Sequence, residues 1–277
     1  MPQIAFYKDT FLDLDDPIVP IQDRAHQFGD GIYEVIRVYN GQPFCLAEHL
    51  DRLEISADAI QMKLPYSREE LITLIQKGLS QSLIPEAEIY LQISRGAAPR
   101  LHSFPEPDNS VLTMVIKEAR IVAPDLKEGG VDICAVEEDR WKNCYIKSLN
   151  LLSNVLAKQK AKDSGCQESI YVEEGIVKEG SSSNIFCVSN GELYTFPAKR
   201  TILHGITRQK VIDLAADLQI PVHEIESNLS FFERADEVFI TSTTMEVQAV
   251  KRFGETSYPD ERPVTERIQK AFEALKP

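Results

Sequence analysis

A lysine and a glutamate are the two side chains of this sequence whose settings best fit covalent catalysis. Lys147 lies between the apolar Ile146 and a predicted helix, and Glu179 lies further along the chain, where a turn rich in glycine and serine begins. An amine can form a Schiff base with an aldehyde, and a carboxylate can keep a ring nitrogen protonated. Together these are the requirements of pyridoxal phosphate chemistry, although either residue alone is ordinarily a surface lysine or part of a turn.

A small basic cluster stands out against an acidic chain. The 277 residues include 30 basic and 43 acidic side chains, and this formal net charge of −13 disfavours nucleic acid and anionic membranes as partners. Arg100 and His102 lie two positions apart in a segment rich in glycine and proline, which we predict to be a loop. Two such cations can converge on one carboxylate. We therefore expect a small anionic substrate, with an exposed basic loop as the alternative.

Several other residues could bind a phosphate group. Arg52 supplies a cation, Thr207 lies at a predicted helix start, and Ser242 and Thr243 follow a predicted strand. Backbone N–H groups and hydroxyls at such positions commonly bind anions, but each signal is weak because ordinary helix caps look the same. The sequence contains no P-loop, and its aspartates and histidines lack the spacing of metal ligands, so we expect no metal.

The cysteines and the apolar segments indicate the cellular location of the protein. Five cysteines are scattered, odd in number and without a CxxC pair, a pattern typical of reduced thiols rather than disulfides. The first residues do not resemble a signal peptide, and no apolar run approaches the length of a membrane span. We expect a cytoplasmic protein that does not bind membranes. The cysteines are Cys45, Cys134, Cys144, Cys166 and Cys187.

Hydrophobic periodicity predicts strands and helices that alternate along the chain. Asn40 and Gly41 predict a hairpin, and Ser67 with Glu70 predicts a capping box at the start of a helix. A further helix is expected over residues 149–163, with its apolar side chains buried. Those side chains are Leu149, Leu152, Val155 and Leu156.

The order of these elements predicts two domains. Residues 118–124 read as a linker, which divides the chain into a small N-terminal domain over 1–119 and a second domain over 120–277. Hairpins are mixed with helices in both parts, and this mixture indicates an α+β fold rather than a doubly wound parallel sheet.

One extended pattern in the second half carries a family resemblance. Glu179 stands three residues before Ser182 and five before Asn184, and a Leu-His-Gly-Ile-Thr-Arg segment begins at Leu203. This spacing resembles the class IV aminotransferases, which are pyridoxal phosphate enzymes of fold type IV, and the resemblance extends over essentially the whole chain. It implies the two α/β-type domains of that architecture, with residues 120–277 as the cofactor-binding domain.

The resemblance implies a role for each candidate residue. Lys147 matches the lysine that forms the Schiff base, and Glu179 matches the acid that faces the pyridine nitrogen. Leu203 matches the residue that packs on the cofactor ring. The implied phosphate ligands are Arg52, Ile206, Thr207, Ser242 and Thr243. The implied substrate-binding residues are Tyr33, Arg100, His102 and Ser182, the first three of them for the α-carboxylate.

Within the family, the stretches around Tyr33, Lys147 and Thr243 are most similar to transaminases of D-amino acids. That likeness implies a reversible exchange of an amino group between a D-amino acid and a 2-oxo acid, with D-alanine and 2-oxoglutarate expected. It also implies a homodimer with shared active sites, to which Arg100 and His102 come from the neighbouring subunit. Branched-chain or (R)-amine transaminases and aminodeoxychorismate lyase are the alternatives, and the Arg100-x-His102 pair favours the D-amino acid enzymes over the branched-chain transaminases and the lyase.

Overall fold

The computed structural model describes residues 3–277, which form two compact units. Unit 1 runs to Arg120 and includes Ile146–Asn150 and Pro277, whereas unit 2 comprises Ile121–Tyr145 and Leu151–Lys276. Among the described residues, every helix is too short or too polar to cross a membrane.

Unit 1 is built on one antiparallel sheet of six strands, in the spatial order β2-β1-β6-β5-β3-β4. The strands are β1 Ile4–Tyr7, β2 Thr10–Leu12, β3 Gly31–Tyr39, β4 Gln42–Pro43, β5 Ala87–Ser94 and β6 Val111–Glu118. The helices are α1 Arg24–Phe28, α2 Leu46–Ala59 and α3 Arg68–Ser82. Helix α2 packs on β3, and α3 packs on β1 and β6, so the apolar core of the unit lies between helices and sheet.

Unit 2 is built on a mixed sheet of ten strands. Its strands are β7 Val131–Glu137, β8 Glu168–Glu173, β9 Ile176–Gly180, β10 Asn184–Ser189, β11 Glu192–Thr195, β12 Val222–Glu224, β13 Ser227–Asn228, β14 Glu237–Ser242, β15 Glu246–Phe253 and β16 Thr256–Ser257. Strand β7 runs parallel to β8 and to β15, while the pairs formed by β8 with β9 and by β10 with β14 are antiparallel. The helices are α4 Pro124–Gly129, α5 Leu152–Asp163, α6 Ile206–Asp217, α7 Leu229–Glu233 and α8 Pro263–Glu273.

Local sequence signals explain several element boundaries. Asn40 and Gly41 both have positive φ, as the tight hairpin between β3 and β4 requires, and so this prediction is confirmed. The predicted capping box is also present, because Ser67 Oγ accepts from the Glu70 N–H and the Glu70 carboxylate accepts from the Ser67 N–H.

The segment that contains Lys147 joins the edge of β3. The Tyr33 N–H donates to the Lys147 carbonyl at 3.0 Å, and the Leu149 N–H donates to the Gly31 carbonyl at 3.0 Å. The sequence-based division at residue 119 assigns this segment to the second domain. In the structure these backbone hydrogen bonds hold it in unit 1.

The expected burial of the α5 apolar residues is wrong for three of them. Leu152 is 74% exposed, and Val155 and Leu156 are each 59% exposed. The helix instead buries its Ala157 and Ala161 side, because small side chains allow α5 to lie close to β7 and β8.

Candidate functional site

Lys147 is held by its backbone and by an aromatic ring. Its N–H donates to Ser56 Oγ on α2 at 3.2 Å, and its Nζ lies 4.3 Å from the centre of the Tyr33 ring. An ammonium group over an aromatic face is attracted by the ring quadrupole. The structure therefore brings together Lys147 and Tyr33, the amine and one of the predicted carboxylate ligands.

Arg52 belongs to a buried trio of hydrogen-bonded side chains. Its Nε and Nη2 donate to the two carboxylate oxygens of Glu34 at 2.7 and 2.8 Å, and His49 Nδ1 lies 2.8 Å from Glu34 Oε2. Burial would raise the pKa of Glu34, but the Arg52 charge and its hydrogen bonds outweigh burial and lower that pKa. Burial lowers the pKa of His49 despite its bond to Glu34. The paired fork fixes the orientation of the Arg52 guanidinium.

Sequence analysis missed Glu34, although the sequence contained a signal for it. Glu34 alternates with Ile32 and Ile36 on the buried face of β3, and its side chain is 0% exposed. A carboxylate on an apolar strand face requires a cationic partner. Helix α2 packs on β3 and supplies Arg52 as that partner.

Arg100 and His102 both lie against Phe28 of α1. The Arg100 guanidinium carbon is 4.9 Å from the Phe28 ring centre, and the His102 ring is 5.6 Å away in an edge-on arrangement. Within residues 3–277, neither side chain hydrogen-bonds Tyr33 or Lys147. The predicted pair of Arg100 and His102 is therefore together, on a loop that contacts α1.

Glu179 lies in unit 2 at the end of β9 and is 3% exposed. Its carboxylate accepts from Arg140 Nη1 at 2.7 Å, from Asn184 Nδ2 at 3.0 Å and from the Leu203 N–H at 3.0 Å. Burial raises the pKa of Glu179 to about 7, even though Arg140 and the Leu203 N–H favour the charged form. A small change in its surroundings at neutral pH is enough to change its charge.

Arg140 is a second residue that sequence analysis missed. Its guanidinium bridges two acids, with Nη2 at 2.6 Å from Glu138 and Nη1 at 2.7 Å from Glu179, and it lies 4.0 Å from the centre of the Tyr171 ring. The available signal was its position in the loop three residues after the end of β7, since loops at strand ends often form sites.

The serine turn after Glu179 is organised by the fully buried Glu168. Ser182 Oγ donates to Glu168 Oε2 at 2.7 Å, Ser183 Oγ donates to the same oxygen at 3.3 Å, and Ser181 Oγ donates to Oε1. A serine hydroxyl has one proton, and here each proton is given to Glu168. Because its proton is given to Glu168, the Ser182 hydroxyl can take part in a further hydrogen bond only as an acceptor.

The start of α6 is suited to an anion. This helix of 12 residues begins at Ile206 after Gly205, which has no side chain to cap the N–H groups of the first turn. Thr207 is buried in that turn. Uncapped N–H groups and the helix dipole attract negative charge. Glycine is required because a Cβ at position 205 would lie 2.1 Å from Asn184 Oδ1.

The end of β14 adds hydroxyl groups. Ser242 Oγ accepts from the Met245 N–H at 3.0 Å and fixes the turn that contains Thr243. Thr241 Oγ1, one residue earlier, is buried and lacks a hydrogen-bond partner among the described residues. Together with the acid at Glu179, the donors of unit 2 fit a group that has both a phosphate and a basic ring nitrogen.

Comparison with known proteins shows the family. Residues 31–253 match the model of the amino-transferase class IV family, and the chain belongs to that family. It is 39% identical to a D-alanine aminotransferase of Staphylococcus haemolyticus over 270 residues, which cover 97% of this chain and 96% of the relative. It is 42% identical to a D-alanine aminotransferase of Listeria monocytogenes over 264 residues, covering 93% and 91% of the two chains.

Solved structures give the same fold. A branched-chain amino acid aminotransferase from Escherichia coli superposes with a TM-score of 0.91 at 26% identity, over 99% of this chain and 94% of that one. A branched-chain amino acid aminotransferase from T.th., solved with pyridoxamine 5′-phosphate, has a TM-score of 0.87 at 26% identity, over 99% and 94%. The predicted fold class, the aminotransferase activity and the pyridoxal phosphate cofactor are confirmed.

Proposed function

We propose that this aminotransferase exchanges an amino group between D-amino acids and 2-oxo acids. D-alanine and 2-oxoglutarate are the proposed pair, with pyruvate and D-glutamate as products. The observation that carries the proposal is the identity of about 40% to D-alanine aminotransferases over nearly the full length of both chains. The basic pair of Arg100 and His102 supports a substrate with a carboxylate.

Lys147 is the proposed catalytic residue. Bound pyridoxal phosphate supplies an aldehyde for the amine and a ring that withdraws electrons from the substrate α-carbon. Lys147 Nζ would hold the cofactor through its aldehyde, and once a substrate amine has displaced it, the freed amine would take up the α-proton and later give it back. Its backbone bonds to Tyr33 and Ser56 fix the point from which the side chain extends, and the face of the substrate that the amine reaches would select the enantiomer.

Glu179 is proposed to hold a proton on the cofactor ring nitrogen. Its carboxylate is kept in place by Arg140, Asn184 and the Leu203 N–H. A neighbouring positive ring would favour the charged form of this buried acid. Leu203 is thus tied to Glu179 by its backbone while its side chain is proposed to pack on the ring.

The remaining cofactor ligands are proposed from chemistry and family likeness. The cationic Arg52 and the donors at the start of α6 and the end of β14 suit a phosphate. Ser182 is proposed to contact the substrate as an acceptor. Residues 120–277 would supply most of these ligands and are the proposed cofactor-binding domain. The phosphate ligands are Arg52, Ile206, Thr207, Ser242 and Thr243.

A homodimer with shared active sites is part of the proposal. Tyr33 would bind the substrate carboxylate together with Arg100 and His102 of the neighbouring subunit. The exposed apolar stripe of Leu152, Val155 and Leu156 on α5 supports association, because contiguous apolar surface usually marks a protein contact. A cytoplasmic location is also proposed, in keeping with five free thiols.

A substrate panel tests the proposed reaction. Pyruvate formation from D-alanine should require 2-oxoglutarate for sustained turnover, and L-alanine should react far more slowly. Preferred turnover of L-branched-chain amino acids or (R)-amines would instead place the protein with those transaminases. Release of pyruvate from aminodeoxychorismate, without an acceptor and without activity on D-alanine, would identify a lyase.

A further inference from the structure

We propose that Arg24 is a positioning residue for recognition of the substrate carboxylate, acting through the loop that carries Arg100 and His102. This inference rests on the proposed role of those two residues. Arg24 is 3% exposed, and its side-chain hydrogen bonds go to Asp30 and to the loop backbone rather than to Lys147 or Tyr33. Its effect would therefore be exerted on the loop over residues 96–105.

The Arg24 guanidinium binds the loop backbone on both sides of His102. Its Nη1 donates to the carbonyl of Leu101 at 2.6 Å and to the carbonyl of Ser103 at 3.3 Å. Its Nε donates to Asp30 Oδ2 at 2.7 Å. A charged donor that binds two backbone oxygens fixes the path of the chain at the residue between them.

The Phe28 ring connects Arg24 with the side chains of Arg100 and His102. It stands one helical turn after Arg24 on α1, and the Arg24 guanidinium carbon lies 4.8 Å from its ring centre. Arg100 and His102 contact the same ring, at 4.9 and 5.6 Å. One aromatic side chain therefore limits the positions of both Arg100 and His102, and the Arg24 guanidinium packs on the same ring.

Asp30, which binds Arg24, is itself held in place by Arg95. Arg95 Nε donates to the two oxygens of Asp30 at 3.1 and 3.0 Å, so Asp30 joins Arg24 to the first residue before the loop. Arg95 also lies 3.8 Å from the ring centre of Phe104, near the other end of the loop. Gly96 allows a close turn, since a Cβ there would lie 2.0 Å from the Asn109 carbonyl oxygen.

Such bracing matters because a loop is ordinarily mobile. If Arg100 and His102 sampled many positions, each substrate would have to order them on binding, at a cost in affinity. Amino donors and oxo acceptors would lose affinity alike, since both carry the carboxylate. The steps that depend on Lys147 and Glu179 would proceed as before.

The test is the kinetics of the Arg24→Met holoenzyme. KM for D-alanine and for 2-oxoglutarate should each rise about 10- to 100-fold, the range for loss of hydrogen bonds from a charged donor, with kcat changed by less than about 3-fold. The absorbance spectrum of the bound cofactor should not change. The matched control is Arg68→Met, whose side chain binds Asp51 at 2.6 Å and the Ala47 carbonyl at 2.9 Å, and which should leave both KM values unchanged.

A double-mutant cycle with Arg100→Met separates this inference from the proposed function. If Arg24 acts through the loop, its effect on KM should largely disappear in the Arg100→Met background. Two outcomes overturn the role of Arg24 and leave the proposed function standing. In the first, Arg24→Met raises KM as much in the Arg100→Met background as in the wild-type protein. In the second, KM rises in Arg100→Met but not in Arg24→Met. Unchanged KM values in Arg100→Met overturn the carboxylate assignment as well.

A conservative variant keeps the test decisive if Arg24→Met does not fold. Arg24→Lys keeps the positive charge but lacks the planar fork that reaches Asp30 and two carbonyls together. Its KM for both substrates should rise several-fold, again with an unchanged cofactor spectrum. A folded Arg24→Lys protein with normal KM values overturns the inference.

Discussion

Arg140 Nη1 lies 2.7 Å from Glu179 Oε1, and this contact supplies the nearest positive charge to the buried acid. The other arm of the same guanidinium is 2.6 Å from Glu138. The Arg140 guanidinium thus binds two carboxylates, and its single positive charge only partly neutralises the negative charge of Glu179. The pKa of Glu179, raised by burial to about 7, is consistent with that sharing.

Replacing Arg140 should move the acid limb of the pH profile. In Arg140→Met the pKa of Glu179 should rise further, because burial remains and the favourable cation is gone. Glu179 would then be protonated at neutral pH and unable to hold a ring proton. We expect kcat at pH 7 to fall by about 10- to 100-fold, with partial recovery toward pH 9.

The control for this variant is Arg252→Met. Arg252 forms an ion pair with Asp132 at 2.8 Å in the same unit, and it is half exposed. Its loss should leave the pH profile unchanged. An acid limb that stays in place in Arg140→Met would show that Arg140 does not control the charge of Glu179.

The charge of Glu179 should also be visible in the stability of the cofactor-free protein. Its pKa is raised from the ordinary 4.5 to about 7. A raised folded-state pKa means that the native state binds more protons, so stability from this group is present below pH 4.5 and is lost as pH rises toward 7. Relative to Glu179→Gln, the free energy of unfolding should fall by about 3 kcal/mol over that range. Urea denaturation of both proteins at several pH values measures this change. A difference in free energy of unfolding that does not vary with pH would contradict the raised pKa of Glu179.

Lys147 should be the point of covalent attachment. Lys147→Ala should abolish transamination while circular dichroism shows an intact fold, because Lys147 is only partly buried and its amine packs on the Tyr33 ring. Borohydride reduction followed by peptide mapping should label Lys147 in the wild-type protein. The exposed Lys142 is the matched control, and Lys142→Ala should retain turnover. Label at another lysine would remove the assignment.

The Glu34 and Arg52 pair should be important for stability. Glu34→Gln leaves the Arg52 charge buried without its carboxylate, and we expect a loss of about 3 kcal/mol in the free energy of unfolding near pH 7. The folded-state pKa of Glu34 is lowered, so the contribution is present above the unfolded pKa of 4.5 and is lost as pH falls below it.

An exposed pair provides the comparison for Glu34→Gln. Glu86 binds Arg37 at 2.5 Å but its side chain is 47% exposed. Glu86→Gln should cost less than about 1 kcal/mol in urea denaturation. If the two substitutions lowered the free energy of unfolding equally, burial would not explain the importance of Glu34 for stability.

A charge on the apolar face of α5 should disrupt the proposed dimer. Val155→Asp places a carboxylate in the stripe formed with Leu152 and Leu156, and burying it in an interface would be costly. Light scattering should show a monomer, and the transaminase activity of this variant should be reduced. Leu83→Asp, at a residue 67% exposed in unit 1, is the control and should remain dimeric. A dimeric Val155→Asp protein would remove α5 from the interface.

The hairpin at Asn40 and Gly41 was predicted from the sequence, but the burial of Glu34 on the strand that precedes it was not. The identity of the partner could not be read from the sequence, because Arg52 reaches Glu34 only through the packing of α2 on β3. The same limit applies to α5. Its apolar stripe was evident, yet periodicity cannot distinguish a face buried within the chain from one that the fold leaves exposed.

The sequence by itself determined the family, the element types and the candidate lysine and glutamate, because hairpin turns, caps and motif spacing are local properties of the chain. Tertiary structure alone decided which charges meet. Arg140 reaches Glu179 across 39 positions, and Arg24 reaches the Leu101 carbonyl across 77. The strength of such contacts depends on distance and burial, and both are fixed only when distant segments pack together.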